Sequence, residues 1–242
     1  MIVIAAPMKR EAPAVIRSGA YVRPAVCVTG TGGTQASSAL ESFLDAHPHV
    51  EGVLSVGFAG ALQDGLDTGN LVLARRLLTP GDDAPIDCDP GVLRTAVTVL
   101  ERSGARYRTG DTLTVDAALR TAGEKWSHGR QTGALAVTME DYWLARVCAR
   151  RRVPFLSVRS VLDVAAQELP PFVTGLGDKG LPVQVARVAL GLAVRPRHFP
   201  GVARLRSQVR RARSSLAPFV ISFLETVDSR SRAAAVGAGS GP

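Results

Sequence analysis

The sequence predicts an α/β fold: a single domain of three layers, α/β/α, built around a mixed but largely parallel central sheet. Three observations predict it. Short apolar runs recur as far as Val158, glycine-containing turns follow several of them, and segments with apolar residues at helical spacing separate them. Strand, glycine turn, helix, strand is the pattern of βαβ units, whose crossover helices impose parallel pairing. The 242 residues are enough for one large domain, with a core that stands without disulfides or metals.

Taken in order, Met1 to Ala6 reads as a buried strand stopped by Pro7, and Met8 to Ser18 starts a helix that Pro13 interrupts. Ala25 to Thr29 is a second strand, closed by Gly30-Thr31-Gly32-Gly33. Thr34 to Ala46 follows as a helix with Ala39, Leu40, Phe43 and Leu44 at helical spacing. Gly52 to Val56 is the next buried strand, with Gly57-Phe58-Ala59-Gly60 as its closing turn. Leu71 to Leu78 is another strand, Gly81 to Pro90 a loop and Gly91 to Ser103 a helix. Gly110 to Val115 and Ala134 to Thr138 read as strands, Glu140 to Arg152 as a helix, and Val153 to Val158 as a strand leading to Arg159 and Asp163. Gln167 to Gly180, with its prolines and glycines, is a loop. Pro182 to Leu192 and Phe199 to Val227 are two helices of a basic segment over 182–228. The domain is therefore expected over 1–228, with a disordered, small and polar tail over 229–242.

Composition excludes several classes. With 46% hydrophobic and 21% charged residues the chain is globular, not disordered. Cys27, Cys88 and Cys148 are odd in number and lack a C-x-x-C pairing, which argues for a reducing cytosol and against a zinc site. The opening apolar run is too short for a signal peptide. No window offers the roughly 18 apolar residues of a membrane span. The expected location is cytoplasmic, with at most a peripheral contact on the inner membrane face. The net charge of +8 is carried by the C-terminal segment, where ten arginines between Arg187 and Arg232 face only Glu225 and Asp228.

Three acids stand near strand ends, where parallel sheets place their ligand sites: Glu11, Glu140 and Asp163. An acid at a helix start is more often a cap or dipole partner, so no one of them is diagnostic. The Gly30 to Gly33 turn could aim backbone amides at an anion or ribose, or simply let a strand bend into a helix. It lacks the third glycine of G-x-G-x-x-G, and no P-loop is present. Neither a cofactor nor a metal is expected.

The motif order is more specific than any single motif. Met8-x-x-Glu11, Thr29-Gly30-Thr31-Gly32, Ser55-Val56-Gly57-Phe58-Ala59-Gly60, Leu66 to Val72, Val137-Thr138-Met139-Glu140 and Val153-Pro154-Phe155 through Arg159-Ser160-Val161-Leu162-Asp163 keep their order over residues 1 to 165. In that order they resemble the nucleoside phosphorylase and nucleosidase superfamily. The resemblance implies an N-glycosidic bond hydrolase acting on a small purine nucleoside, as a homo-oligomer. Glu11 would activate water and Asp163 would protonate N7 of the purine. Glu140 would hold the ribose hydroxyls with Met139 packed on the sugar, and Gly57, Phe58, Ala118 and Leu119 would line the rest of the substrate site. Phosphorolysis fits less well, because Phe58 stands where relatives carry a small hydroxyl residue. Arg75 and Arg76 could meet an anion but read better as sheet-edge residues. Two departures weaken the match: Leu162 replaces the serine expected to orient Asp163, and Ala118 replaces a purine-stacking aromatic.

Beyond Asp163, the Leu169-Pro170-Pro171 segment, Arg195-Pro196 and the basic terminal helix resemble the hopanoid-associated branch of that superfamily. Its members look like adenosylhopane nucleosidases, which release adenine from a lipid-linked nucleoside. Arg204, Arg206, Arg210, Arg211 and Arg213, with Leu205, Val209, Leu216, Phe219, Val220, Phe223 and Leu224, would then form a basic amphipathic surface for anionic lipid. Each basic residue near such a surface contributes about 1 kcal/mol. The other reading is a terminal helix packed on the sheet with solvated arginines. Alternatives for the whole chain are a nucleosidase for methylthioadenosine, S-adenosylhomocysteine or futalosine, and a nucleoside-binding protein with weakened turnover. Nucleic acid is not an expected partner, since few aromatics interleave the arginines and no base-reading motif is present.

Overall fold

The computed structural model describes residues 1–8, 11, 24–81, 83–169 and 199–238. The expected helix from Met8 to Ser18 and the expected helix from Pro182 to Leu192 fall largely or wholly outside these residues, as does most of the loop from Gln167 to Gly180. The described chain forms β1 (Ile2–Ala6), β2 (Ala25–Val28), α1 (Gly33–Ala46), β3 (Gly52–Ala61), β4 (Leu71–Leu78) and β5 (Ile86–Asp87). It continues with α2 (Pro90–Ser103), β6 (Tyr107–Thr114), α3 (Ala122–Thr132), β7 (Ala136–Thr138), α4 (Asp141–Arg151), β8 (Phe155–Asp163) and α5 (Phe199–Ala238). This is an α/β unit around one mixed sheet, the predicted class.

The sheet is not open throughout. β1 lies between β2 and β3, all parallel, and its Val3 to Ala6 are wholly buried, as expected of a parallel strand covered on both faces. β3 pairs in parallel with β8, β8 antiparallel with β4, β4 in parallel with β6, β6 in parallel with β7, and β7 antiparallel with the end of β3. Those five strands therefore close a ring. β3 makes closure possible: its edge pairs with β1 through Ser55 and with β7 at Gly60 and Ala61, and its register with β8 shifts between Ala59 and Gly60. Gly57 to Gly60 is thus strand, not the closing turn that its glycines suggest. β8 supplies partners along the whole segment. β8 likewise runs on to Asp163, which is its last residue instead of lying beyond it.

Helix ends follow local chemistry. Asp89 caps α2 by accepting from the amides of Gly91 and Val92, and Pro90 starts the helix where a missing N–H costs nothing. Sequence reading does not anticipate α3, although its signal is present. Thr121 and Glu124 form a reciprocal capping box, and Gly133 ends the helix in the left-handed conformation. α1 packs on α4, and α2 on α5, which also rests against β8.

α5 corrects one expectation and, for its apolar face, selects the second of the two readings. It extends through Ala238, where a disordered tail from Ser229 is expected; the alanines and arginines there are good helix formers. Its apolar stripe is also not free for lipid. Leu216, Phe219, Val220, Phe223 and Leu224 are buried in the main core with β-strand and α2 residues, while Arg204, Arg206, Arg210, Arg211 and Arg213 are exposed. Burying each of those large side chains is worth about 1.5–3 kcal/mol, which commits that face to the protein interior. Among the described residues, no helix is long and apolar enough to cross a membrane.

Candidate active site

Two of the three acids, Glu11 and Asp163, lie along the C-terminal half of β3. Glu11 closes the turn after β1, with its amide donating to the Met8 carbonyl at 2.9 Å, and is 8% exposed. Its Oε2 accepts the Phe58 amide at 3.2 Å. Gly57 makes this approach possible, because a Cβ there would fall 2.5 Å from Glu11 Oε2 and 2.2 Å from Arg159 Nη1. A side chain at position 57 would fill the space in which the carboxylate and guanidinium lie close together. Three residues further on, a Cβ at Gly60 would lie 3.1 Å from Asp163 Oδ2. Three strand residues span about 10 Å, which separates Glu11 from Asp163 along β3 by roughly the length of a nucleoside.

Glu140 enters from β7. It occupies the N-cap position of α4 but makes no capping hydrogen bond. Its Oε1 instead accepts the amide of Gly32 at 3.3 Å, across 108 residues of sequence. The bland reading of this acid, a helix cap, is therefore wrong. Gly32 can offer its amide because its backbone is left-handed, at φ 86°. The neighbouring Thr31 hydroxyl is buried without a partner. Buried hydroxyls normally find one, and this one belongs to the glycine turn whose Gly32 amide meets Glu140. Burial pushes the Glu140 carboxyl up, and the Arg159 guanidinium pulls it back.

Arg159 ties this arrangement to the core. It and Asp141 are wholly buried. Nε donates to Asp141 Oδ2 at 2.9 Å, and Nη2 donates to Asp141 Oδ1 and, at 2.9 Å, to Ser55 Oγ. Ser55 and Ser157 hydroxyls complete the carboxylate at 2.8 and 2.6 Å. Such a bidentate pair, with its carboxylate fully bonded, is the form in which buried charges are tolerated. Although burial would raise it, the Asp141 carboxyl is held below its ordinary range by Arg159 and the two serines. The guanidinium in turn stays firmly charged against burial, through Asp141, Glu140 and Glu11. Nη1 makes no hydrogen bond and lies at Gly57 beside Glu11.

Asp163 is 4% exposed and bonded to a residue that sequence reading misses. Lys125 Nζ, wholly buried on α3, donates to Asp163 Oδ2 at 2.5 Å. The orienting hydrogen bond thought missing because of Leu162 comes from this lysine. The Leu162 backbone is itself held, its carbonyl accepting from Thr68 Oγ1 at 3.1 Å. Burial pushes the Asp163 carboxyl up, and Lys125 opposes that shift.

The remaining predicted positions are less central. Met139 is half-buried between β7 and Glu140, and Phe58 contributes its amide to Glu11. Ala118 is half-buried between β6 and α3. Leu119 packs on the cluster of Leu62, Leu113, Val115, Ala134 and Val137. Arg75 and Arg76 both bond Asp111 of β6 and lie on an interior strand, not at the sheet edge that the sequence suggests. A cavity of about 380 Å³ opens beside the Gly32–Glu140 contact, lined by Gly33, Thr34, Ser37, Asp116, Trp143 and two arginines. A larger one, about 670 Å³, lies between α5 and the 67–71 segment, away from the acids. Among the described residues, no cluster of His, Cys, Asp and Glu could hold a metal.

Comparison with known proteins bears on the family and the fold. The family profile described as the phosphorylase superfamily matches residues 6–178. A DeoD-type purine nucleoside phosphorylase of Alkaliphilus metalliredigens is 28% identical over 156 residues, covering 60% of this chain and 67% of that protein. A 5′-methylthioadenosine/S-adenosylhomocysteine nucleosidase of Thermotoga maritima is 25% identical over 142 residues, covering 57% and 64%. The chain thus spans about two-thirds of the length of these curated relatives. In fold it is similar to the Helicobacter pylori 5′-methylthioadenosine/S-adenosylhomocysteine nucleosidase solved with butyl-thio-DADMe-Immucillin-A, with a TM-score of 0.71 at 17% identity over 93% of this chain and 97% of the other. It is equally similar to the futalosine hydrolase of the same organism, with a TM-score of 0.70 at 17% identity over 93% and 97%. With its motifs, its ring-closed sheet and a match over most of its length, the chain belongs to the phosphorylase superfamily.

Proposed function

We propose that this protein cleaves the N-glycosidic bond of a purine nucleoside. The observation that carries the reading is Glu140, a buried carboxylate at a helix start that caps no amide of its own helix and instead accepts the Gly32 amide of the glycine turn after β2. That carboxylate receives ribose hydroxyls, with Met139 against the sugar. Glu11 holds the attacking water and takes its proton as the oxygen attacks C1′, with the Arg159 charge beside it. The C1′–N9 bond breaks, its electron pair passes into the purine, and Asp163 delivers a proton to N7 so that a neutral base leaves. The sugar passes through an oxocarbenium-like state, which the buried carboxylates stabilise. Water is the favoured acceptor: Arg75 and Arg76 are committed to Asp111, and Phe58 brings no hydroxyl to the position where a phosphate would bind.

Within this reading the favoured substrate is an adenosylated hopanoid, and methylthioadenosine, S-adenosylhomocysteine or futalosine is the alternative. Support for the lipid-linked substrate comes from the C-terminal motifs and from the exposed row of Arg204, Arg206, Arg210, Arg211 and Arg213, which suits an anionic surface through charge alone. The homo-oligomer implied by the family resemblance is part of the same proposal, read by light scattering. Adenine release from adenosylhopane and from methylthioadenosine, each with and without phosphate, tests the whole. Release from adenosylhopane without phosphate is expected. Release from methylthioadenosine alone would replace the substrate, and release only with phosphate would replace the acceptor. Adenine from neither substrate and no free base from futalosine, with bound nucleoside detectable, would establish a binding protein instead.

A further inference from the structure

A lysine ammonium is costly to bury unless every N–H finds an acceptor. Lys125 meets that condition. Its Nζ donates to Asp163 Oδ2 at 2.5 Å, to the Gln167 carbonyl at 2.7 Å and to the Val164 carbonyl at 3.2 Å. Three donors meet three acceptors, so no N–H is left for a ligand, and any effect of Lys125 on a reaction passes through Asp163.

The ammonium is fixed from both sides. Its own helix is anchored by the Thr121–Glu124 capping box. The two carbonyls belong to the turn after β8, and the Gln167 amide exchanges hydrogen bonds with Gln208 of α5 at 2.6 and 3.2 Å. Leu169, at the end of that turn, donates its amide to the Arg120 carbonyl just before α3, at 2.8 Å. Gly60 of β3 also lies against the carboxylate, nearest to Oδ2. Asp163 is therefore held beside a strand by a lysine whose position is set by two helices.

We infer that Lys125 is a positioning residue for Asp163: it pins Oδ2, leaves Oδ1 to face the purine and supplies the counter-charge against which the carboxyl takes up and releases its proton. The inference rests on Asp163 acting as the acid in the reaction above. Without the ammonium, the buried carboxyl keeps its proton to higher pH. An opposite charge this close moves a carboxyl by about 1–3 pH units. The acid works only while protonated, so the basic limb of the kcat profile follows that change upward.

The test compares Lys125→Met with the wild-type enzyme in pH profiles of adenine release from whichever adenine nucleoside is turned over, and in cleavage of a nitrophenyl riboside, whose leaving group departs without a proton. The basic limb for the adenine nucleoside is expected to rise by about 1–3 pH units. Its kcat at neutral pH should fall at least tenfold, part of the ~10²–10⁴ that general acid catalysis supplies in full. Nitrophenyl riboside cleavage should stay within about threefold, because it needs no general acid. Lys125→Gln, which retains two N–H donors, reads the same shift if the methionine variant does not fold. An unmoved limb, or equal losses on both substrates, overturns the inference and leaves Lys125 a structural residue. Asp163→Asn run in parallel separates the two failures. Wild-type adenine release in that variant removes Asp163 as the acid, whereas a dead Asp163→Asn beside an unmoved limb in the lysine variants refutes Lys125 alone.

Discussion

Replacing Gly57 by alanine adds one methyl group at the point where β3 passes between Glu11 and Arg159. Its Cβ would sit 2.2 Å from Arg159 Nη1 and 2.5 Å from Glu11 Oε2, short of ordinary 3.4 Å contact by about 1.2 and 0.9 Å. Both neighbours cannot keep their places. Arg159 is bonded through Nε and Nη2 to Asp141 and Ser55, and breaking a buried pair of that kind costs about 3–5 kcal/mol. The clash with Nη1 is the tighter of the two and remains wherever Glu11 goes, so β3 or the Arg159–Asp141 pair must shift as well as the carboxylate. A displacement of about 1 Å in a reacting group costs about 10²-fold in rate. Gly57→Ala should therefore lower kcat/KM for adenine release about 100-fold and also lower the melting temperature. Activity within threefold of wild type, with the fold intact by circular dichroism, would show that Glu11 and Arg159 do not work together across Gly57.

Other expectations follow from the same geometry. Arg159→Met should cost about 3–5 kcal/mol in urea unfolding, because it strands the buried Asp141; adding Asp141→Leu should recover much of that loss. If the double variant is no more stable than the single one, the pair is not the source. The Asp141 carboxyl is held below its ordinary value of 3.8, so it stabilises the fold above that pH, and the contribution is lost as pH falls through the lower folded value. Asp141→Asn should flatten this part of the acid unfolding curve, and an unchanged curve would contradict it. Glu140→Gln should lower kcat/KM for ribosides about 10–100-fold through weaker charge-assisted hydrogen bonds, and should affect a 2′-deoxyriboside less. Equal losses would take the ribose hydroxyls away from Glu140. Burial pushes the thiol of Cys27 up to about 11 and those of Cys88 and Cys148 up to about 12, so iodoacetamide at pH 8 should label none in the native protein and all three in denaturant.

Local signals carried much of this into the sequence. Continuous apolar runs announced β1, β3 and β4, and Asp89-Pro90 marked the start of α2, because burial on both faces and helix capping are written in neighbouring residues. The ends of β3 and β8 were not legible. Gly57 and Gly60 look like a turn, and only pairing with β8 keeps them in a strand. The three acids could be singled out by order, but Glu140's partner Gly32 lies 108 residues away and no spacing rule predicts it. Lys125, Asp141 and Arg159 show why a list of candidate acids was incomplete. Each is buried by a long-range ion pair that the closed ring of strands creates, and in sequence each looks like an ordinary charge on a helix or strand. Lys125 had one usable hint, the Thr-x-x-Glu box immediately before it. The apolar stripe of α5 was visible too, but whether it met lipid or core depended on the sheet it rests against.

The most direct test of the account is chromatographic detection of free adenine after incubation of the purified protein with adenosylhopane and, separately, 5′-methylthioadenosine, in phosphate-free buffer, with Asp163→Asn as the control. The account predicts adenine and the free sugar in equal amounts from at least one substrate, with release largely abolished in the variant. No adenine from either substrate at enzyme concentrations matching the substrate, with or without added phosphate, would contradict it.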